Sequence, residues 1–131
     1  MLPFAFEYEI EVRFRDCDAM GHVNNAVYLT YLEQARFAYW QSVTGFAGIP
    51  RNVILARIEC DYRTPATLGD RLVVRMRISE VGRSSFTVEY EVSNARTRVL
   101  VASARSVQVM YDYQTNCSVP IPEHVRAKLE R

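Results

Sequence analysis

The sequence predicts an α+β domain in which a curved antiparallel sheet of about five strands wraps around one long central helix. Three observations predict it. Residues 6–14 alternate apolar and charged with a period of two, the pattern of a half-buried strand. Residues 25–43 form a helical segment that is apolar on most of its sides. Everything after Pro50 reads as sheet, broken by turn residues at hairpin spacing.

In the first strand Phe6, Tyr8, Ile10, Val12 and Phe14 share one side, while Glu7, Glu9, Glu11 and Arg13 share the other. In the helix Tyr28, Leu32, Ala35 and Tyr39 recur along one face. Val27, Leu29, Tyr31, Phe37, Ala38 and Trp40 cover much of the rest, which predicts burial on most sides. Asn24 or Asn25 is the N-cap, and Gly45 with Gly48-Ile49-Pro50 ends the segment. Four strands follow over 53–63, 71–80, 85–93 and 98–111. Leu72, Val74, Met76 and Ile78 alternate against Arg71, Arg75 and Arg77, as an antiparallel meander with one wet face requires. A short C-terminal helix has Pro122 in its first turn and Val125 and Leu129 facing inward. One curved sheet leaves an exposed edge. Edge-to-edge pairing would cover it, so self-association is expected, as a dimer or a dimer-of-dimers tetramer.

The 131 residues are expected to form a single domain, 1–131. Sixteen basic and fifteen acidic residues leave a net charge of +1, which argues against a general nucleic-acid binder. The three cysteines, Cys17, Cys60 and Cys117, are odd in number and widely spaced, so reduced thiols in the cytoplasm are expected rather than a disulfide framework. The N-terminal stretch alternates apolar residues with charges and does not read as a signal peptide, and no apolar run is long enough to span a membrane.

The run Arg15-Asp16-Cys17-Asp18-Ala19-Met20-Gly21-His22-Val23-Asn24-Asn25 carries the chemistry. It gathers two carboxylates, a thiol, an imidazole and two amides just ahead of the helix. Unpaired N–H groups and the positive dipole end collect at a helix N-terminus. An acid beside them suits a reaction in which a carbonyl oxygen becomes negative while a carboxylate attacks or activates water. Asp16, Cys17, Asp18 and His22 lack a recognised metal-site spacing, so no metal is expected. Cys17 lies between two acids, which raise a thiol pKa, so it is a poor nucleophile.

The order Asp-x-Asp-x-x-Gly-His-Val-Asn-Asn, followed by Tyr28-Leu29-Thr30-Tyr31-Leu32-Glu33-Gln34-Ala35-Arg36, resembles the hot-dog-fold acyl-CoA thioesterases. The branch is that of 4-hydroxybenzoyl-CoA thioesterase and the bacterial acyl-CoA thioester hydrolases. Ile58-Glu59-Cys60-Asp61-Tyr62-Arg63-Thr64-Pro65, Gly69-Asp70 and Gly82-Arg83-Ser84-Ser85-Phe86 resemble the family in order and spacing, so the likeness covers about residues 6–111. It implies a paired dimer with active sites at the interface. It also implies hydrolysis without a cofactor, coenzyme A being part of the substrate. The second Asp of the motif, Asp18, is then the key carboxylate, as nucleophile or general base. The 4-hydroxybenzoyl branch has Pro-Ala-Gly after that Asp; here Ala19-Met20-Gly21 follows, a departure that bears on a hydroxybenzoyl substrate.

Each remaining site residue has an ordinary alternative. The backbone N–H groups near Asn24 and Asn25 are the oxyanion donors, and the Asn25 side chain either orients substrate or caps the helix. His22 either moves a proton or packs in a turn. Tyr28 lines the acyl channel. Glu33 faces substrate or a partner subunit, or simply pairs with Arg36. Arg83, Ser84 and Ser85 fall near where family members bind the phosphates of coenzyme A; otherwise they are solvated hairpin residues. Arg57 and Arg63 are weaker candidates. The rival functions are an acyl-acyl carrier protein thioesterase, a hot-dog dehydratase and a non-catalytic acyl-CoA binding module. The His-Pro-Gly pattern of the dehydratases is missing here.

Overall fold

The computed structural model describes residues 4–45 and 52–130, so Gly48-Ile49-Pro50 lies outside the described residues. The chain runs β1 (Phe6–Glu11), a 3₁₀ turn (Phe14–Asp16), α1 (Asn25–Thr44), β2 (Val53–Tyr62), β3 (Arg71–Val81), β4 (Ser85–Asn94), β5 (Leu100–Asp112), β6 (Cys117–Ser118) and α2 (Glu123–Leu129). All strand pairs are antiparallel, in the order β1-β3-β4-β5-β2, with β6 beside the end of β5. This is the predicted curved sheet carrying one long helix. The two-residue β6 is too short to leave a periodic signal.

The helix-facing side of the sheet comes from alternate positions. Leu72, Val74, Met76 and Ile78 on β3 and Phe86, Val88, Tyr90 and Val92 on β4 are all buried, as are Ala102, Ser106, Gln108 and Met110 on β5. The opposite face carries cross-strand ion pairs: Arg71–Glu9 at 3.0 Å, Arg75–Glu7 at 3.2 Å and Arg77–Glu89 at 2.8 Å. Such pairs contribute roughly 0.2–1 kcal/mol each, so burial of the inner face dominates the fold.

The first strand stops earlier than the alternation predicts. After Val12 the chain turns into the 3₁₀ segment and Phe14 swings out to 81% exposure. The central helix is also less enclosed than its composition predicts. Tyr28, Tyr31, Leu32, Ala35, Trp40 and Val43 are buried, but Leu29 is exposed and Val27, Phe37, Ala38 and Tyr39 are half-buried. The sheet covers one side of α1, and the other side is open in a single chain. Asn24 is the N-cap, its side chain accepting from the Ala26 N–H at 2.9 Å. Gly45 ends the helix in the left-handed conformation (φ +73°), its N–H bonded to the Gln41 carbonyl at 2.8 Å. At the C-terminus Pro122 caps α2, with Val125 and Leu129 buried, and Arg126 donates to the Gly82 carbonyl at 2.6 Å.

Strand β2 is an edge. Its pairing with β5 slips between Leu55 and Arg57, leaving Ala56 as the extra residue of a β-bulge. Ahead of the bulge Val53 and Leu55 oppose the inward-facing Met110 and Gln108; after it Ile58, Cys60 and Tyr62 oppose Ser106, Ala104 and Ala102.

Candidate active site

The segment between β1 and α1 is built around a buried carboxylate. Asp16 is 2% exposed. Its Oδ2 accepts from the Tyr31 hydroxyl at 2.6 Å and from the Arg13 N–H at 3.0 Å, and its Oδ1 accepts from the Arg13 guanidinium at 3.0 Å. Burial alone would push this carboxyl up, but the bonds from Arg13 and Tyr31 outweigh it and hold Asp16 below the ordinary carboxylate range. Tyr31 moves the other way, driven far up by burial and by its bond to Asp16. The Asp16 carbonyl accepts from the Asn24 N–H at 2.9 Å. One residue thus ties the start of the loop to its end and to the second turn of α1.

Asp18 sits at the tip of that loop. Its N–H donates to the His22 carbonyl at 2.8 Å, and its own carbonyl accepts from the Gly21 N–H at 3.0 Å. Gly21 is in the left-handed region at φ +80°, where a side chain is strained. Asp18 Oδ1 accepts from the N–H groups of Met20 at 2.9 Å and His22 at 3.3 Å. The turn therefore fixes the carboxylate through one oxygen. No hydrogen bond to the other, Oδ2, occurs among the described residues. His22 bridges to Thr67 and Cys17 to Val23, which braces the loop on both sides.

Asp18, His22, Asn25 and Tyr28 line one cleft of about 380 Å³, together with Tyr62 and Arg63. Asp18 is not in the first turn of α1, which holds no acid; the cleft brings it to the helix start. The donors at that start can be told apart. The Asn24 N–H goes to Asp16, the Ala26 N–H to the Asn24 side chain, and the Val27 N–H to the Asn24 carbonyl. Asn25 is the first helical residue and has no acceptor within the helix for its N–H. The sequence expectation of donors at both Asn24 and Asn25 thus narrows to Asn25. Both the Asn24 amide N–H and its side-chain oxygen are committed to structure.

Tyr62 is the residue the sequence reading passed over. Its hydroxyl donates to the Asn25 carbonyl at 2.9 Å, and its ring meets Tyr28 edge-on at 5.3 Å. The signal was its place at the end of a strand just before Thr64-Pro65. Arg63, ranked low for a charged ligand, lines the same cleft.

The other predicted residues lie elsewhere. Glu33 opens on a second, mostly apolar cleft of about 230 Å³, with Arg36, Trp40, Leu55, Phe86 and Gln108. Arg83, Ser84 and Ser85 form the β3–β4 turn, where their carbonyls accept from Ile121, Met110 and Gly82. That turn is at the far end of β3 from Asp70 and the Asp18 loop; eleven residues of strand span about 35 Å. Within one chain these residues and Asp18 do not form a single site. Among the described residues no three of His, Cys, Asp and Glu gather as a metal site, and no helix is long and apolar enough to cross a membrane.

The family model described as the thioesterase-like superfamily matches residues 12–129. The chain is 28% identical over 126 residues to the long-chain acyl-CoA thioesterase FadM of Escherichia coli, covering 94% of this chain and 96% of that protein. It is 30% identical over 131 residues to the 1,4-dihydroxy-2-naphthoyl-CoA hydrolase of Synechococcus elongatus, covering 95% of each. Among solved structures, a thioesterase from Thermus thermophilus complexed with coenzyme A and zinc superposes with a TM-score of 0.86. It is 34% identical, and the match covers 98% of this chain and 100% of that one. With the match running almost end to end in sequence and in fold, the chain belongs to the thioesterase-like superfamily and has its hot-dog fold.

Proposed function

We propose that this thioester hydrolase cleaves acyl-CoA, with Asp18 as the reacting carboxylate and the Asn25 N–H as oxyanion donor. The observation that carries the reading is the shared cleft. It holds a carboxylate fixed through one oxygen, with the other unbonded, beside a free helix N-terminal donor. The thioester carbonyl lies between them. Asp18 Oδ2 attacks the carbonyl carbon to give a mixed anhydride that water then hydrolyses, or it draws a proton from a water that attacks directly. In either route negative charge builds on the carbonyl oxygen, where the N–H meets it, and coenzyme A leaves as its thiolate. Support for coenzyme A comes from the relatives named for CoA thioesters and from the neighbouring structure that holds it.

The working unit is a pair. Strand β2 is a ten-residue edge whose Leu55 and Tyr62 are 44% and 48% exposed. Twofold pairing of two β2 strands runs them antiparallel, so the Tyr62 end of one meets the Val53 end of the other. The Asp18 cleft of one copy then adjoins the Glu33 cleft of the second. The carboxylate comes from one chain and the acyl-holding surface from the other. The same reversal carries the β3–β4 turn, with Arg83, toward the Asp18 end.

The test is release of free thiol from a panel of acyl-CoAs by wild type and Asp18→Asn. The expected result is turnover by wild type and at least a hundredfold lower kcat in the variant. Full activity in Asp18→Asn removes Asp18 from the chemistry. Binding without any turnover makes the protein a non-catalytic acyl-CoA module.

A further inference from the structure

Three loops, residues 12–24, 63–70 and 95–99, meet at one end of the sheet. Backbone bonds hold them together. The Val12 N–H donates to the Asp70 carbonyl at 2.9 Å, the Val23 N–H to the Ala66 carbonyl at 2.8 Å and the Ala95 N–H to the Arg71 carbonyl at 2.8 Å. Four large apolar side chains stand out from these loops: Phe14 at 81% exposure, Met20 at 78%, Leu68 at 57% and Val99 at 46%. None of the four lines the Asp18 cleft or the Glu33 cleft, so substrate contact does not account for them. The same loops hold five arginines and three aspartates, with no lysine or glutamate. Arg15, Arg96 and Arg98 form no ion pair among the described residues. Of the aspartates, Asp16 is buried against Arg13, and Asp70 is held by the N–H and hydroxyl of Thr67.

Exposed apolar side chains gathered with unpaired cations mark an interaction surface. Pairing through β2 does not cover this one: β2 is at one edge of the strand order, and Phe14 follows β1 at the other. The apolar side chains come from separate points of three loops, with Phe14 beside Arg15 and Val99 beside Arg98 in the chain. They do not form a groove that a protein segment would fill. Apolar tips that enter the acyl boundary, next to cations that meet the headgroups, are the chemistry of a protein lying on a membrane. Arginine suits the second task because its guanidinium bonds phosphate through two N–H groups at once. We propose that this end docks on an anionic phospholipid bilayer, with Phe14, Met20, Leu68 and Val99 as the apolar contacts and Arg15, Arg96 and Arg98 as the charge contacts. Asp18 shares its loop with Phe14 and Met20, so a docked protomer turns its candidate cleft toward the lipid surface. Docking requires no turnover and stands or falls apart from the acyl-CoA reading.

The experiment is co-sedimentation of the full chain with vesicles of phosphatidylcholine alone and of phosphatidylcholine mixed with phosphatidylserine, at low and physiological salt. Wild type is expected to pellet with the anionic vesicles and not with the neutral ones, and less as salt rises. Arg15→Gln weakens binding about fivefold, and Arg15→Gln with Arg96→Gln and Arg98→Gln abolishes it. Arg105→Gln, a charge-matched change on the outer face of the sheet, leaves binding as it is. Phe14 and Arg15 are exposed, so changing them does not reach the core. Phe14→Trp reads insertion directly. Trp40, the one tryptophan of the chain, is buried, so quenching by bromine-labelled acyl chains is expected in Phe14→Trp and absent in wild type. No binding to anionic vesicles, equal binding to neutral ones, or equal loss in Arg105→Gln and Arg15→Gln overturns the proposal. Binding with no quenching in Phe14→Trp overturns it as well. Retention on immobilised polyglutamate that Arg15→Gln removes, without vesicle binding, assigns this end to an acidic protein instead.

Discussion

Asp16 and Asp18 stand two residues apart, and their surroundings give them different work. Asp16 is walled in and saturated by Arg13 and Tyr31; Asp18 is exposed at a turn, with one oxygen held and one open. A carboxyl held low in the folded state stabilises the fold above its unfolded pKa, about 3.9, and that contribution is lost as pH falls through the folded value. For Asp16 it is therefore complete at neutral pH and fades at acid pH below about 4. Asp16→Asn should be less stable than wild type at pH 7, with the gap narrowing as pH falls below about 4 in urea titrations. A constant gap at every pH would mean that the charge on Asp16 plays no part. Gly21→Ala puts a Cβ into the left-handed region, and about 1–2 kcal/mol of strain is expected. Thermal melts measure it, and activity falls with the turn that holds Asp18. The sequence marked this cluster as the candidate site. It could not show which acid was buried, because Tyr31, the partner that decides it, comes fifteen residues later and reads as ordinary helix core.

Helix α1 begins where three constraints meet: the Asn24 cap, the Asp16 carbonyl holding the Asn24 N–H, and the Tyr62 hydroxyl on the Asn25 carbonyl. Asn24→Ala removes the side-chain cap, and a loss of about 1 kcal/mol is expected in denaturant unfolding. Tyr62→Phe keeps the ring against Tyr28 and loses only the hydrogen bond. The expected result is a smaller stability change with a clear drop in kcat, read from thiol release and chemical unfolding on the same preparation. Unchanged kcat would reduce Tyr62 to packing. Strand and helix bounds were legible to within a few residues because periodicity is local. The early end of β1 was not, because Phe14 keeps the alternation in sequence while the 3₁₀ turn breaks it in space.

For the molecule as a whole, the sheet order was legible only as an antiparallel meander; which strands form the edges is set by pairing across the chain. The same limit explains the scattered site residues. Glu33 and Arg83 were placed by likeness to a family, and in a single chain neither lines the Asp18 cleft. Pairing through β2 is what would reunite them, and it can be tested without touching either. Leu55 is largely exposed on the monomer, so Leu55→Glu should leave the protomer folded while placing a charge in the pairing face. Sedimentation velocity should show a shift from dimer to monomer; because Leu55 also lines the Glu33 cleft, the oligomeric state alone is the readout. A dimer that persists would mean that the chains associate elsewhere.

Ala56 has no partner on β5, and that missing partner sets the strand's parity. Side chains alternate along a strand, so an unbulged β2 would carry the odd-numbered series through to its end. Arg57, Glu59 and Asp61 would then point at the helix, and Cys60 and Tyr62 at solvent. The extra residue reverses the order halfway along, so Val53 and Leu55 from the first half and Ile58, Cys60 and Tyr62 from the second share one side while the charges share the other. Deleting Ala56 would therefore close the bulge and leave every face as it is, whereas pairing Ala56 with Val107 would exchange Tyr62 for an acid at the mouth of the Asp18 cleft.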